Sequence, residues 1–182
     1  MSFSARKLTL AGVLIALAIA LKLPILSVPN VEFFTFIVFS SGYLLGMIGG
    51  VVVGIISMSI YTSVVTPYGL PPLPIAFAQV FSMALIGFAG GMASRLDKLA
   101  FRQGFPSRIV AVMFIMGLAG LVLTLIYDLL TNLATTVVVG QFWPVMIAAL
   151  PFALLHILSN MVIFVALSPL LLKMARFYRE RV

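Results

Sequence analysis

Asp128, Asn132 and Thr135 recur at helical spacing inside an apolar stretch, so one helix face carries a carboxylate, an amide and a hydroxyl. His156 and Asn160, four residues apart in another apolar stretch, put an imidazole and an amide on one face. These groups bind by hydrogen bonding, and Asp128 and His156 can also carry charge or exchange protons. Ionisable groups within apolar helices are costly and mostly line cavities or pathways. Counted inward from the ends of their stretches at about 1.5 Å per residue, Asp128 and His156 lie at similar depth, in the outer half or near the midplane. Two facing polar stripes at one depth describe a pocket open to the outside. The competing reading is a satisfied interhelical pair, Asp128 with His156 or with Asn160, that locks the bundle. Thr135 equally suits a bond to its own helix backbone.

Further candidates surround these two stripes. Glu32, after Pro29-Asn30, is either a first-turn acid favouring a helix dipole or a lid residue reaching into the pocket. Tyr61, Tyr68 and Trp143 fall at or near the same outer boundary, where aromatic belts are expected; the three are also candidate stacking surfaces for a flat ligand. Gln79 is a candidate wall residue. No catalytic constellation accompanies them: there is no serine in a glycine elbow, no HExxH and no GxxxxGK[ST]. One histidine and four carboxylates are too few for most intramembrane hydrolytic schemes, and the absence of cysteine excludes disulfides and thiolate metal sites. The expectation is a protein that is not an enzyme and holds no cofactor or metal. If ATP drives it, the motor is another protein.

The elements that must position these residues are membrane helices. Of 182 residues, 63% are hydrophobic and 8% charged, and the mean hydropathy is +1.27. A soluble domain would not carry so few charges. With no polar linker, residues 1–182 are expected to form a single transmembrane domain. The start imitates a secretory signal but reads as a retained first span, about Leu8 to Leu26. Phe33 to Val65 is about 33 residues, roughly 50 Å as a helix, and so must fold back within a core of about 30 Å. The glycines at 46, 49 and 50 are the natural turn, giving spans near Phe33–Leu45 and Val51–Val65. TPYGLPPLP, from Thr66 to Pro74, cannot be regular helix. Further spans follow near Ile75–Met92, Arg108–Val139 and Val145–Lys173, with a kink expected at Pro151.

Ten of the eleven lysines and arginines cluster: Arg6 and Lys7; Arg95, Lys98, Arg102 and Arg108; Lys173, Arg176, Arg179 and Arg181. Six crossings put all ten on one face. By the positive-inside bias that face, with both termini, is cytoplasmic. The net charge of +7 therefore records topology rather than nucleic-acid binding.

The first span carries Gly12, Ala16 and Ala20 at every fourth residue, a strip of small side chains that lets another helix approach closely. This small, basic-inside, six-span chain resembles the substrate-binding S components of energy-coupling factor (ECF) transporters, prokaryotic uptake systems for vitamins and micronutrients. Ala16-Leu-Ala-Ile-Ala20 looks like the family's AxxxA docking motif, and GYLLGMIGGVVVG, Gly42–Gly54, is similar to its glycine-rich turn between the second and third helices. The resemblance implies an all-α, multi-pass protein of the prokaryotic plasma membrane. It implies ligand capture beneath Ser27–Glu32 and Thr66–Pro74, and docking through Gly12, Ala16 and Ala20 on a transmembrane coupling subunit. Two cytoplasmic ATPases then drive the cycle and use the ATP. Lys22 is the sole cation expected at the outer face, so a neutral or cationic, hydrogen-bonding ligand is expected, such as a pyridoxine-, thiamine-precursor- or cobalamin-like compound. The alternatives are a self-contained channel or exporter subunit acting as a homo-oligomer, an intramembrane enzyme, or a structural anchor.

Overall fold

The computed structural model describes residues 4–25, 28, 30–66, 69–95 and 106–180, and these are helical wherever they are regular. The helices are α1 (Ala5–Lys22), α2 (Phe34–Leu45), α3 (Met47–Ile60), α4 (Leu73–Ala93), α5 (Pro106–Val139) and α6 (Phe142–Glu180). A single 3-10 turn, Leu23–Ile25, extends α1, and a π-helical turn, Tyr61–Val65, extends α3. Among the described residues four helical stretches are long and apolar enough to cross a membrane: Met47–Val65, Leu73–Ala93, Ile109–Val139 and Phe142–Tyr178. α1 has 18 residues and carries three cations near its ends; α2 has only 12 residues, about 18 Å of helix.

α2 is short because it is the axle of the fold. Every residue from Phe34 to Tyr43 is buried, on all sides of the helix. A helix apolar all round belongs inside a bundle, and α1, α3, α4 and α6 all pack on it. Its aromatic side chains form the centre of the core. Phe36 and Phe39 each lie 5.1 Å, centroid to centroid, from Phe164 of α6, and Phe36 meets it edge-on. The buried hydroxyls of Ser40, Ser41, Ser57 and Thr62 bond carbonyls of their own helices, so they add no unsatisfied group to this core.

The turn between α2 and α3 uses one residue. Gly46 adopts φ 86°, and its N–H closes the end of α2 on the Gly42 carbonyl. The expected five-residue glycine turn is thereby corrected. Gly49 and Gly50 lie inside α3, and the reason for Gly50 is packing. A Cβ on Gly42 or on Gly50 would run into the carbonyl of Gly87 in α4, and one on Gly90 into the carbonyl of Phe39. Helices α2, α3 and α4 are thus pressed backbone to backbone along a glycine seam, the means by which helices associate tightly where apolarity offers no pull. α4 begins at Leu73 with Pro74 in its first turn, where a missing N–H costs nothing. The longest helix, α6, runs through both Pro151 and Pro169.

α1 is applied to the outside of this seam. It buries Ala11, Leu14 and Ala18. Gly12, Ala16 and Ala20 lie on its exposed side, and a Cβ on Gly12 would meet nothing within 4 Å. The small-residue strip is therefore not a packing seam of this chain.

Candidate functional site

Six segments converge at one end of the bundle. α1, α3 and α5 end there, and α2, α4 and α6 begin there, so alternate helices run in opposite directions. The cations Arg6, Lys7, Arg95, Lys173 and Arg176 sit toward the other ends of their helices. Between the converging ends is a cavity of about 470 Å³. Lys22 comes from the end of α1, Glu32 from the connection before α2, and Tyr61 from the π-helical turn. Gln79 comes from α4, Asp128, Asn132 and Thr135 from α5, and His156 from α6. The wider π turn, closed by the Thr66 N–H on the Tyr61 carbonyl at 2.9 Å, belongs to the kind of helical irregularity that recurs at sites.

The charged groups form a chain across this cavity. The Lys22 ammonium pairs with Glu32 Oε2 and lies 4.4 Å from the centre of the Tyr61 ring and 5.4 Å from that of Phe34. The other carboxylate oxygen, Glu32 Oε1, accepts from the Thr35 hydroxyl at 3.0 Å and lies 3.5 Å from His156 Nε2. His156 Nδ1 in turn is 2.8 Å from Asp128 Oδ1. Glu32 is 5% exposed, His156 4% and Asp128 8%, so the chain is largely shielded from bulk water. Burial alone would raise the Glu32 carboxyl's pKa. The Lys22 ammonium and the His156 ring outweigh it and hold that carboxyl well below the usual carboxylate range.

Before α2, the described residues Val28, Asn30, Val31 and Glu32 line the cavity, and Asn30 fastens them to α6. Asn30 adopts a left-handed conformation, φ 58°. Its side-chain amide donates to the Phe152 carbonyl at 2.9 Å, and its own carbonyl accepts from the Ser159 hydroxyl, also at 2.9 Å. Asn30 thus grips α6 on both sides of His156. Among residues with a side chain, asparagine and aspartate tolerate this backbone region best.

The two polar stripes do meet. Asp128, Asn132 and Thr135 line the cavity together with His156, and the pair and the pocket, posed as alternatives by the sequence, occur together. Thr135 also bonds its own helix, at the Thr131 carbonyl, 2.9 Å away. Glu32 and Gln79 line the cavity as well. Asn160 does not. It is fully buried one turn along α6, donating to the His156 carbonyl at 3.2 Å. Trp143 stands clear of the cavity, 71% exposed and packed edge-on against Phe142. Tyr68 lies outside the described residues. Sequence reasoning did not single out Lys22, Asn30, Tyr127 or Thr131 as site residues. Thr131 shares the stripe of Asp128 at a spacing of three, and Tyr127 adjoins it, so both carried a signal; Asn30 carried none beyond marking a turn.

Three polar atoms at this wall are buried without a hydrogen-bond partner: Asp128 Oδ2, His156 Nε2 and Gln79 Oε1. Such groups are rare in proteins, and a cluster of them in one wall calls for an explanation. Among the described residues no cluster of His, Cys, Asp and Glu could hold a metal ion. Fold and site together describe an all-helical protein, four of its helices able to span a membrane, that encloses a polar, carboxylate-bearing cavity at one end. Comparison with protein families, with curated proteins and with solved structures finds no match.

Proposed function

We propose that the chain is the substrate-capturing S component of an ECF-type importer in a prokaryotic plasma membrane. In this reading it crosses the bilayer six times, with α1 and the short α2 completing the four long spans. The cavity end faces outward, and both termini, with the clustered cations, face the cytoplasm. The observation that carries the proposal is the cavity itself, about 470 Å³, with unpartnered buried acceptors in its wall. A hollow of that size suits a vitamin-like molecule rather than an ion or a polymer.

The exposed strip of Gly12, Ala16 and Ala20 supports the second half of the reading. It is the surface on which a transmembrane coupling subunit would dock, driven by two cytoplasmic ATPases. A smooth strip allows that contact to form and release as the protein reorients. The chain itself is then neither an enzyme nor a cofactor protein. Charge narrows the cargo. Among the described residues the cavity's one ammonium, that of Lys22, already pairs with Glu32, so no free ammonium there awaits an anion. The unpartnered acceptors favour a neutral or cationic ligand with donor groups.

Mass spectrometry of what co-purifies with the protein tests the proposal. A bound small molecule, together with stoichiometric ATPases and a coupling subunit, is the expected result. A homo-oligomer with an empty cavity would replace this reading with that of a self-contained channel or exporter subunit.

A further inference from the structure

The charged groups of the cavity wall are matched among themselves, Lys22 with Glu32 and His156 with Asp128. Several of its uncharged polar groups are matched as well. Thr131 donates to the Tyr127 carbonyl and Thr135 to the Thr131 carbonyl, both at 2.9 Å, and the Asn30 amide is spent on the Phe152 carbonyl. Asn132 differs. It lies between those two threonines on α5 and lines the same cavity, yet among the described residues its side chain makes no hydrogen bond. Asp128 Oδ2 and Gln79 Oε1 are sealed from solvent, whereas both polar atoms of the Asn132 amide keep accessible surface. That amide presents an acceptor and a donor side by side. Water in the cavity satisfies both until a ligand displaces it. Much of the remaining wall is apolar, with Ile75 from α4 and Ala149, Phe152 and Ala153 from α6, and Phe152 is 52% exposed.

We infer that Asn132 reads a carboxamide-type edge on the ligand, a carbonyl next to an N–H, through a pair of hydrogen bonds. Asn132 Nδ2 donates to the ligand carbonyl, and Asn132 Oδ1 accepts from the ligand N–H. Amides, lactams, ureides and the edges of many heteroaromatic rings carry this pair. The inference names the ligand class of the cavity and rests on the ligand-binding reading of it. Charge supports it first. With the wall's charged groups already paired, an entering ion leaves an uncompensated charge in a shielded place, which is expensive. This selects neutral ligands over cationic ones, and a neutral ligand is recognised by the direction of its hydrogen bonds. Pairing then supplies the discrimination. An analogue with the carbonyl but without the N–H displaces the water from Asn132 Oδ1 and gives it no donor in return, and sites reject such analogues for that reason. The apolar side chains of α4 and α6 receive the body of the ligand.

Benzamide and acetophenone test this, being alike in size and shape, both neutral, and different in that one carries NH2 where the other carries CH3. Their affinities for the dialysed protein in lipid nanodiscs are measured by calorimetry against empty nanodiscs. Benzamide is expected to bind about tenfold tighter or more. The chain contains three asparagines, so isotope-labelled asparagine gives three side-chain NH2 signals, which single Asn→Leu variants assign. Benzamide is expected to move the Asn132 signal and to leave that of Asn160, which is fully buried, in place. In Asn132→Leu the preference for benzamide should fall to about one. The two-probe comparison on the unaltered chain requires no variant to fold. If both probes bind equally and move cavity signals, the edge reading is overturned and the cavity remains a ligand site. A benzamide preference that survives in Asn132→Leu overturns the role of Asn132. If neither probe binds above the empty-nanodisc blank, both the edge reading and the ligand-binding reading fall.

Discussion

His156 Nδ1 lies 2.8 Å from Asp128 Oδ1, and both residues face the cavity. The bond that ties α5 to α6 is therefore also part of the wall a ligand would touch. Here Asp128 keeps its second oxygen without a partner. If the cavity holds a ligand, stability and binding are coupled at this one contact.

Asp128→Asn retains an acceptor for the histidine, whereas Asp128→Leu does not. In thermal unfolding of detergent-solubilised protein, the asparagine variant is expected to lose about 1 kcal/mol. The leucine variant, which strands His156 beside an apolar group, should lose about 3–5 kcal/mol. Equal losses would mean that the pair is solvated and carries no buried charge. Asp128→Asn should also weaken binding of the co-purified ligand by about 1–3 kcal/mol if the carboxylate meets it. Unchanged affinity would return Asp128 to a structural role.

The two sets of small residues should respond oppositely to enlargement. Gly50→Ala or Gly87→Ala forces a Cβ into backbone of the facing helix and should destabilise by about 1–3 kcal/mol. Gly12→Ala meets open space and should be neutral or stabilising by up to about 1 kcal/mol, through helix propensity. Ala16→Leu and Ala20→Leu, also on the exposed side, should leave folding and ligand affinity intact in detergent while abolishing uptake in cells. Lost ligand binding with intact complex assembly would contradict the docking role.

Glu32 predicts an acid limb in stability. Its pKa is lowered in the folded protein, so its contribution is fully present above the ordinary value of 4.5 and erodes as pH falls below it. Unfolding midpoints measured across that range should decline on the acid side, and Glu32→Gln should flatten the decline. An unchanged slope in the variant would assign the acid sensitivity to another group.

Asn30 lines the cavity and is held to α6 by two bonds. Asn30→Gly keeps the left-handed backbone but deletes the side-chain bond, and should cost about 1 kcal/mol. Asn30→Ala adds backbone strain of about 1–2 kcal/mol to the same loss. Because Asn30, Val31 and Glu32 line the cavity, both variants should release a ligand held there faster, in the same order. Release rates equal to those of the unaltered chain would show that the connection is not a barrier to exit.

Helix positions were legible along most of the chain because apolar runs long enough to cross a bilayer, broken by glycine and proline, leave few other arrangements. The stripe of Asp128, Asn132 and Thr135 was legible for the same reason, since helical periodicity fixes which side chains share a face. Asn160 shows the limit of that periodicity. It shares a face with His156, yet one turn further along α6 the neighbouring helices close, and the amide is buried away from the cavity.

The sequence by itself determined an apolar, helical chain with its cations grouped at particular helix ends and its few buried ionisable groups at one depth. Those features depend on local composition and on a helix's fixed rise and period. Tertiary structure alone decided that the short α2 sits at the centre, that glycines of α2, α3 and α4 rather than Gly12 of α1 form the internal seam, and that Lys22, Glu32, His156 and Asp128 join into one chain of charge. These are contacts between residues as far apart as α1 and α6. Spacing along one helix cannot specify them, because they depend on how far each helix is rotated and shifted against its neighbours.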